Sequence, residues 1–264
     1  PSYKDRLAIL NYHAKNKPLD KDCNLEILAK RTSGLSGADL ANILNEAAIL
    51  AARRNRNKIK SIDIGEAVER VFAGIEKKSK ILTNREREIV AYHEAGHALV
   101  AHLLPNTDPV HKISIIPRGK AALGYTLQLP NEEKFLKSKN DMLSEIKILM
   151  GGRVAEEIIF KDITSGASND IEVATKIALS MISRLGMSEL GFRSFKVSNF
   201  ERNFSEDSAK KLDEKIESIM NMCYKEVRDI IEKNIDKLKA LSLYLLEKEI
   251  MFEEEIEKII GKSV

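Results

Sequence analysis

Two histidines and a glutamate stand together in the run His93-Glu94-Ala95-Gly96-His97. This run has the pattern HExxH, and on a helix its two histidines, four residues apart, project from one face. Both imidazoles can therefore reach one metal ion. Glu94 lies about 100° around the helix from His93, so it can touch a ligand of the ion rather than the ion itself. The spacing predicts a zinc hydrolase in which the glutamate takes a proton from metal-bound water.

A catalytic zinc needs a third protein ligand and one open coordination position. The spacing alone leaves three carboxylates open for that place: Glu156, Glu157 and Asp170. The first two follow a Gly-Gly pair on a predicted helix. Asp170 starts another helix, where an acidic residue is usually only a cap or a first-turn residue. The donor set suits Zn²⁺, with Fe²⁺ and Co²⁺ as alternatives.

The two other histidines near the motif are weaker candidates. His102 is five residues past His97 and so lies off the metal-facing side of the helix. His111 follows Pro109 and is predicted to lie in a loop, from which it could support a ligand. The competing interpretation of His93 and His97 themselves is that they are ordinary buried histidines. It is disfavoured because the motif and the apolar periodicity around it agree.

The helix that carries the motif has clear start and stop signals. Thr83-Asn84-Arg85-Glu86 is a capping box, and Pro105 ends the helix after Leu104. Two strands are predicted next, at 112–116 and 124–129. Gly151-Gly152 would weaken the following helix unless the backbone needs a close approach there. The remaining predicted helices cover 141–159, 168–185, 207–233, 236–248 and 253–260.

The residues before the motif predict a separate four-helix unit that ends near Lys78. Its third helix is the best marked, because Ser36-Gly37-Ala38-Asp39 forms a capping box before a sustained apolar stripe. Ser61 is predicted to cap the fourth helix. The first two helices are predicted at 4–14 and 24–30, and the basic run at 77–80 is predicted to be a solvated connector.

Composition excludes several classes of function. The 264 residues include 43 basic and 40 acidic side chains, a net charge of +3, which argues against binding of nucleic acid through charge. Aromatic residues make up 5%, without Trp, so a stacking platform for single strands is not expected. Cys23 and Cys223 form no CxxC pair, which is typical of a reducing compartment. No apolar run approaches the roughly 18–20 residues of a membrane span.

Further motifs accompany HExxH in order along the chain. They are Asp108-Pro109-Val110-His111-Lys112, Ile116-Pro117-Arg118-Gly119, Gly151-Gly152-Arg153-Val154-Ala155-Glu156-Glu157 and Thr164-Ser165-Gly166-Ala167-Ser168-Asn169-Asp170. Together they resemble the peptidase domain of the FtsH-type ATP-dependent zinc metalloproteases. Ser36-Gly37-Ala38-Asp39-Leu40-Ala41-Asn42 and Asn45-Glu46-Ala47-Ala48 resemble the lid subdomain of the AAA+ module that precedes that domain. The resemblance covers nearly the whole chain.

The resemblance implies a fold and a site. The expected fold is mainly α, with a four-helix AAA+ lid at 1–78 and a helical zincin-type peptidase domain with a small β-sheet at 79–264. Asp170 is implied as the third ligand, beside His93 and His97, and Glu94 as the catalytic base. A strand near the site is expected to pair with the substrate backbone by edge addition. Its implied substrate-binding residues are Gly124, Tyr125, Thr126 and Leu127.

The resemblance also implies partners. The expected assembly is a homo-hexamer that cleaves unfolded and membrane proteins and is anchored in a membrane by a segment absent from this soluble piece, which faces the cytoplasm or an organelle interior. ATP and Mg²⁺ are expected only in the full-length protein, because the chain contains no GxxxxGK[ST]. Nucleic acid is not an expected partner. The alternatives are a helical assembly module with a structural or vestigial zinc, and a hydrolase of a non-peptide substrate.

Overall fold

The computed structural model describes residues 1–74, 82–118, 123–130, 134, 136–190, 194–195 and 204–262. Within them the chain forms ten α-helices, one 3-10 turn and three short strands. The predicted mainly α fold class is therefore confirmed. Two compact units are present, one comprising Pro1–Ile81 and Ile116–Phe135, the other Leu82–Ile115 and Leu136–Val264. The sequence-based division at residue 78 stays a prediction, and the connector predicted at 77–80 lies outside the described residues.

The first unit contains four helices that enclose one apolar core. Their bounds are α1 Tyr3–Ala14, α2 Leu25–Arg31, α3 Gly37–Arg53 and α4 Ser61–Ala73. The predicted capping box of α3 is confirmed, because the Asp39 backbone N–H donates to the Ser36 hydroxyl and the Ser36 N–H donates to the Asp39 carboxylate. Fully buried side chains of α3, including Leu40, Ile43 and Leu44, form the centre of this core.

The start of α4 differs from the prediction, since Lys60 and not Ser61 is its N-cap. The Lys60 N–H donates to the buried Asp63 carboxylate at 3.0 Å, and the Ser61 N–H donates to Asp22 at 3.2 Å. Arg54 approaches the same Asp63 carboxylate at 2.5 Å. Burial disfavours the ionised form of Asp63, but the hydrogen bonds from the Lys60 N–H and from Arg54 outweigh this effect and lower the pKa of Asp63. An acid one turn inside the helix therefore takes the place of the predicted serine cap.

The first unit also holds a buried ion pair between α4 and a segment distant in sequence. The Arg118 guanidinium, almost fully buried, donates to Glu69 at 3.0 Å and to the Gly74 carbonyl at 3.1 Å. Tyr125 donates its hydroxyl to the same Glu69 carboxylate at 3.1 Å, and the guanidinium carbon lies 4.7 Å from the centre of the Tyr125 ring. Tyr125 begins the strand Tyr125–Gln128. One carboxylate thus holds both Arg118 and this strand to the end of α4.

The second unit is built around one long helix. In chain order its elements are α5 Asn84–Leu103, β1 Val110–Ser114, α6 Lys139–Phe160, α7 Ser168–Ser183, α8 Glu206–Lys233, α9 Ile235–Lys248, β3 Ile250–Phe252 and α10 Glu253–Ile260, with β2 being Tyr125–Gln128 of the first unit. A 3-10 turn at Ser165–Ala167 leads into α7. Within the described part of the chain, no helix combines the length and the apolar character needed to span a bilayer.

The short strand β3 was not predicted from the sequence. It pairs antiparallel with β1, with Lys112 opposite Phe252, Ile113 opposite Met251 and Ser114 opposite Ile250. The prediction of a loop around His111 is wrong, because this residue lies on β1. Glu253 at the start of α10 approaches its imidazole at 3.7 Å. His111 therefore lies on a strand that pairs with the distant β3, and not in the predicted loop.

Candidate metal centre

Helix α5 begins where the sequence predicts and ends one residue before the predicted last residue, Leu104. Thr83 accepts a hydrogen bond from the Glu86 N–H at 3.2 Å, and the Glu86 carboxylate accepts one from the Thr83 N–H at 2.8 Å. The helix ends at Leu103, before Pro105. Most of its side chains from Val90 onward are buried, so this helix runs through the interior of its unit. Any polar side chain on this stretch of α5 therefore needs a partner inside the protein.

Three side chains from two helices converge beside α5. His93 and His97, one turn apart, bring their Nε2 atoms within 3.0 Å of each other. Asp170, in the first turn of α7, places its Oδ2 atom 3.3 Å from Nε2 of His93 and 3.5 Å from Nε2 of His97. Among the described residues they form the one group of three or more His, Cys, Asp or Glu that could hold a metal ion.

The distances between these donor atoms fit a tetrahedral ion. Zinc binds imidazole nitrogen and carboxylate oxygen at about 2.0–2.2 Å, which separates two ligands of a tetrahedron by roughly 3.3–3.6 Å. The three separations of 3.0, 3.3 and 3.5 Å are close to that spacing. A small ion with nitrogen and oxygen ligands could therefore contact all three atoms without a large movement of any side chain.

The other ring nitrogens fix how the imidazoles are oriented. Nδ1 of His93 donates to Oε1 of Glu156 at 2.6 Å, and Nδ1 of His97 donates to the Ile148 carbonyl at 2.7 Å. Both partners are acceptors, so each neutral ring carries its proton on Nδ1 and a lone pair on Nε2. The two lone pairs and the Asp170 carboxylate then face one another. Three acceptors at such distances are stabilised by a cation between them.

Charges around the site alter the protonation of its members in the metal-free protein. Burial lowers the pKa of His93, but its bonds to Asp170 and Glu156 prevail and raise that pKa to about 10. Burial likewise opposes ionisation of Asp170 and Glu156, yet the histidines hold the pKa of each carboxylate below its usual value. The site therefore favours positive charge at its centre, supplied either by a proton or by a metal ion.

Two glycines bring the helices of the site unusually close together. A β-carbon added to Gly96 on α5 would lie 2.4 Å from the Gly151 carbonyl oxygen on α6, and one added to Gly151 would lie 2.7 Å from the Gly96 carbonyl oxygen. The close backbone approach that was the condition for a Gly-Gly pair in this helix is present at Gly151. Because only glycine fits both positions, α6 can place Glu156 and the Ile148 carbonyl directly behind the two imidazoles.

Glu94, the predicted base, is buried on α5 next to His93 in the chain. Its negative charge is one of those that raise the pKa of His93. The other two acidic candidates on α6 have different partners. Glu156 contacts His93 from behind, as described, whereas Glu157 accepts hydrogen bonds from Tyr224 at 2.7 Å and from Arg228 at 3.0 Å. Of the three carboxylates left open by spacing, the structure brings only Asp170 to the Nε2 atoms.

The remaining predicted residues lie elsewhere. His102 is buried and donates from Nε2 to the Gly261 carbonyl at 2.8 Å, after the end of α10. The predicted substrate residues Tyr125, Thr126 and Leu127 belong to β2, and their side chains are partly exposed, whereas Gly124 precedes the strand. Their assignment as substrate-binding residues stays a prediction.

Sequence reasoning missed two contributors to the site. The Ile148 carbonyl holds His97, and no sequence signal identifies a backbone acceptor of this kind. The Thr164 N–H donates to Oε2 of Glu156 at 2.9 Å, while the Thr164 hydroxyl accepts from the Gly166 N–H at 3.1 Å. The run Thr164-Ser165-Gly166, just before Asp170, could have indicated the Thr164 contact, because the hydroxyl of a threonine in such a turn holds the nearby backbone.

Two protein-family models together match most of the chain. The model described as Peptidase family M41 matches residues 80–259. The model described as AAA+ lid domain matches residues 22–66. The first match includes every residue of the candidate metal centre, and the second lies within the four helices of the first unit.

Curated relatives match over almost the whole chain. An ATP-dependent zinc metalloprotease FtsH of Thermotoga maritima is 49% identical over 274 aligned positions, which cover 100% of this chain and 45% of that protein. ATP-dependent zinc metalloprotease FtsH 1 of Thermoanaerobacter sp. is 48% identical over 99% of this chain and 44% of its own length. A relative of the same kind from Pseudothermotoga lettingae is 48% identical, with 98% and 43% covered. The chain thus spans less than half the length of these relatives.

Proposed function

The chain belongs to peptidase family M41 and is a metalloprotease module with an AAA+ lid, and on that premise we propose that it is the zinc-dependent endopeptidase part of an ATP-dependent, membrane-anchored protease. The observation that carries the zinc assignment is the convergence of three acceptor atoms within 3.5 Å of one another. His93, His97 and Asp170 are the proposed ligands. The Nδ1 contacts of both imidazoles support the assignment, since histidines that bind zinc usually donate their other ring N–H to a carboxylate or carbonyl.

The proposed chemistry divides between the ion and the chain. When bound, zinc lowers the pKa of a coordinated water to about 7 and polarises the scissile carbonyl. Glu94 takes the proton from the attacking water and later delivers it to the leaving amine, which matches its place one residue after His93. Its burial keeps bulk water from competing for that proton. Glu156 and the Ile148 carbonyl keep the Nε2 atoms of the two histidines aimed at one point.

The proposed substrates are unfolded proteins and membrane proteins. We assign substrate binding to Gly124, Tyr125, Thr126 and Leu127, on and just before the four-residue strand β2. An extended chain that pairs with a strand is held by its backbone, so such a site would accept many sequences. The relatives' name, ATP-dependent zinc metalloprotease, supports a role for ATP in delivering substrates. Nucleotide and Mg²⁺ would then act in a part of the protein outside this chain.

The proposed assembly is a homo-hexamer anchored in a membrane by a segment outside this chain. The match to the AAA+ lid model supports the ATP-dependent part of this proposal, and the hexamer and the membrane anchor are what the resemblance to FtsH-type proteases implies. The alternative of an assembly module with a structural zinc is not favoured. A closed structural site takes four protein ligands, whereas the proposed site has three and a buried glutamate beside it.

The substitution Glu94→Gln tests the proposed function. Zinc binding should be unchanged, because Gln has the same shape and Glu94 is not a proposed ligand. Cleavage of a chemically unfolded polypeptide without ATP should fall at least about 100-fold, the usual contribution of a general base. Fluorescent fragment release and zinc content per chain are the measurements.

The matched control is Glu157→Gln, which changes a neighbouring carboxylate that contacts Tyr224 and Arg228 instead of the site. It should retain full activity. Cleavage by the Glu94→Gln protein at the wild-type rate would refute the assignment of the base. Zinc without any Glu94-dependent cleavage would favour the assembly module.

A further inference from the structure

Gly152 lies on α6 at the point where that helix passes the metal-facing nitrogens. A β-carbon added there would lie 2.6 Å from Nε2 of His93, 2.6 Å from Nε2 of His97 and 2.6 Å from Cε1 of His93. These distances are far below the 3.5–4.0 Å at which carbon and its neighbours pack favourably. A methyl group and two converged imidazoles therefore cannot occupy this space together.

The imidazoles have little freedom to make room. Nδ1 of His93 is held by Glu156 at 2.6 Å and Nδ1 of His97 by the Ile148 carbonyl at 2.7 Å. Both of these acceptors belong to α6, the helix that carries Gly152. In each ring, Nδ1 is therefore hydrogen-bonded to α6, and Nε2 lies next to Gly152 of the same helix. Rotation of a ring away from an added methyl would break its Nδ1 contact or turn its Nε2 lone pair away from the other donors.

We propose that Gly152 is a positioning residue of the metal centre: the lack of a side chain at this one position lets both Nε2 atoms converge on a single ion. The inference rests on the proposed function insofar as the ion is zinc. Gly152 itself binds nothing. It keeps clear the volume beside the ligand nitrogens, and its neighbours on the same helix hold the rings in place.

The adjacent glycine has a different role and provides a matched control. A β-carbon on Gly151 would meet the Gly96 carbonyl oxygen at 2.7 Å and the His97 Cα at 3.0 Å. Both of these atoms belong to the backbone of α5, which cannot rotate aside, so a methyl group there would force the two helices apart. The three atoms nearest to a methyl group on Gly152 all belong to the far ends of side chains, the rings of His93 and His97. Gly152→Ala should therefore disturb the metal site with the two helices still packed, whereas Gly151→Ala should disturb the packing of α5 against α6 and, through it, the support of both imidazoles.

The experiment compares Gly152→Ala, Gly151→Ala and the wild-type chain. Zinc affinity is measured by competition with a chromophoric chelator, and the thermal midpoint is measured on the metal-free proteins. Gly152→Ala should lower zinc affinity at least about 10-fold, in the range seen when residues that orient ligands are altered. Its metal-free midpoint should fall less than that of Gly151→Ala, because the helix preference of Ala over Gly offsets part of the cost of a turned imidazole. Gly151→Ala should lower the metal-free midpoint.

Two results would overturn the inference. One is wild-type zinc affinity in Gly152→Ala, and the other is a metal-free midpoint of Gly152→Ala that falls as far as that of Gly151→Ala. A wild-type chain that takes up no zinc would instead refute the proposed function, and with it this inference. The readouts do not depend on peptidase activity, so the two failures are distinguishable.

Discussion

Glu156 joins two parts of the candidate site through a single side chain. One of its carboxylate oxygens accepts from Nδ1 of His93 on α5, and the other accepts from the Thr164 N–H in the turn that leads to Asp170. The carboxylate is almost fully buried. The same group therefore aligns His93, a proposed ligand on α5, and the turn that leads to Asp170, a proposed ligand on α7, so a shift of Glu156 would affect both.

The substitution Glu156→Gln tests this role. The glutamine oxygen can still accept from His93, but its amide group would face the Thr164 N–H as a second donor. We expect zinc affinity to fall about 10-fold, the lower end of the usual effect of changing a group that orients a metal-binding histidine, because the contact with His93 can persist while the contact with the Thr164 N–H is lost. Isothermal titration with zinc measures the change. Glu157→Gln is the control, and equal affinities in the two variants would contradict the role.

The sequence predicts the α5 part of this site better than the rest. His93, Glu94 and His97 are placed by helical spacing alone, because residues four apart must share a face. The choice among Glu156, Glu157 and Asp170 depends on how α6 and α7 approach α5, and no local pattern contains that information. Only the resemblance favours Asp170 in advance. The structure brings its carboxylate to the two histidines, and its assignment as a ligand remains a proposal.

At the scale of elements, the pair formed by Glu69 on α4 and Arg118 makes a specific contribution to stability. The Arg118 side chain is 1% exposed and that of Glu69 is 11% exposed. Water therefore screens the pair little, and removal of one partner would leave a charge in the interior. The Arg118 contact with the Gly74 carbonyl also holds the residue that follows the last turn of α4.

A double-mutant cycle measures this contribution. Arg118→Met and Glu69→Leu should each lower the free energy of unfolding by about 3–5 kcal/mol, because each leaves the other charge buried without its partner. The double variant should lose much less than the sum, since apolar replacements of similar volume can pack together. Chemical denaturation at neutral pH gives all four values. Additive losses would show that the two side chains do not act as a pair.

Element boundaries show where local signals suffice. Capping boxes predicted the starts of α3 and α5, because the residues that make them are adjacent in the chain. The start of α4 was misplaced by one residue, since its cap depends on the buried Asp63 and on contacts with Arg54. The strand β3 has three residues and exists because β1 lies beside it. A strand so short has no periodicity to detect.

At the scale of the whole molecule, the proposed ligands all belong to the second compact unit, on α5 and α7. A ligand that binds only the folded state stabilises the region that must open to release it. Zinc removal should therefore raise amide hydrogen exchange in α5, α6 and α7 and leave α1 and α3 unchanged.

The expected size of this change follows from binding equilibrium. Amides in α5, α6 and α7 that exchange only when the site opens and releases its zinc should exchange about 100-fold more slowly with zinc at 100 times its dissociation constant than after chelation. Mass spectrometry of peptic fragments resolves the helices separately. The control is Asp170→Ala, which lacks a proposed ligand and should show little response to zinc. A uniform response across α1, α3, α5 and α7 would contradict the assignment of the site to one unit.

The mainly α fold class and the order of its helices could be predicted from periodicity, caps and the Pro105 stop. The membership of Ile116–Phe135 in the first unit could not. It depends on Glu69, Arg118 and Tyr125, whose contacts join residues about 50 positions apart. Contacts between residues so far apart cannot be predicted from local sequence patterns.

Because the chain returns to its first unit after β1, a truncation or a recombination joint at a single point near residue 78 separates residues that contact each other. A piece that started after residue 78 would carry Arg118 without the Glu69 carboxylate, and a piece that ended there would carry Glu69 without its cation. Chimaeras joined at a single crossover between the lid and the peptidase sequence would pair an Arg118 segment with a foreign α4. In recombinants of two relatives, α4 and residues 116–128 should therefore come from the same parent, although the run His93–His97 lies between them in the sequence.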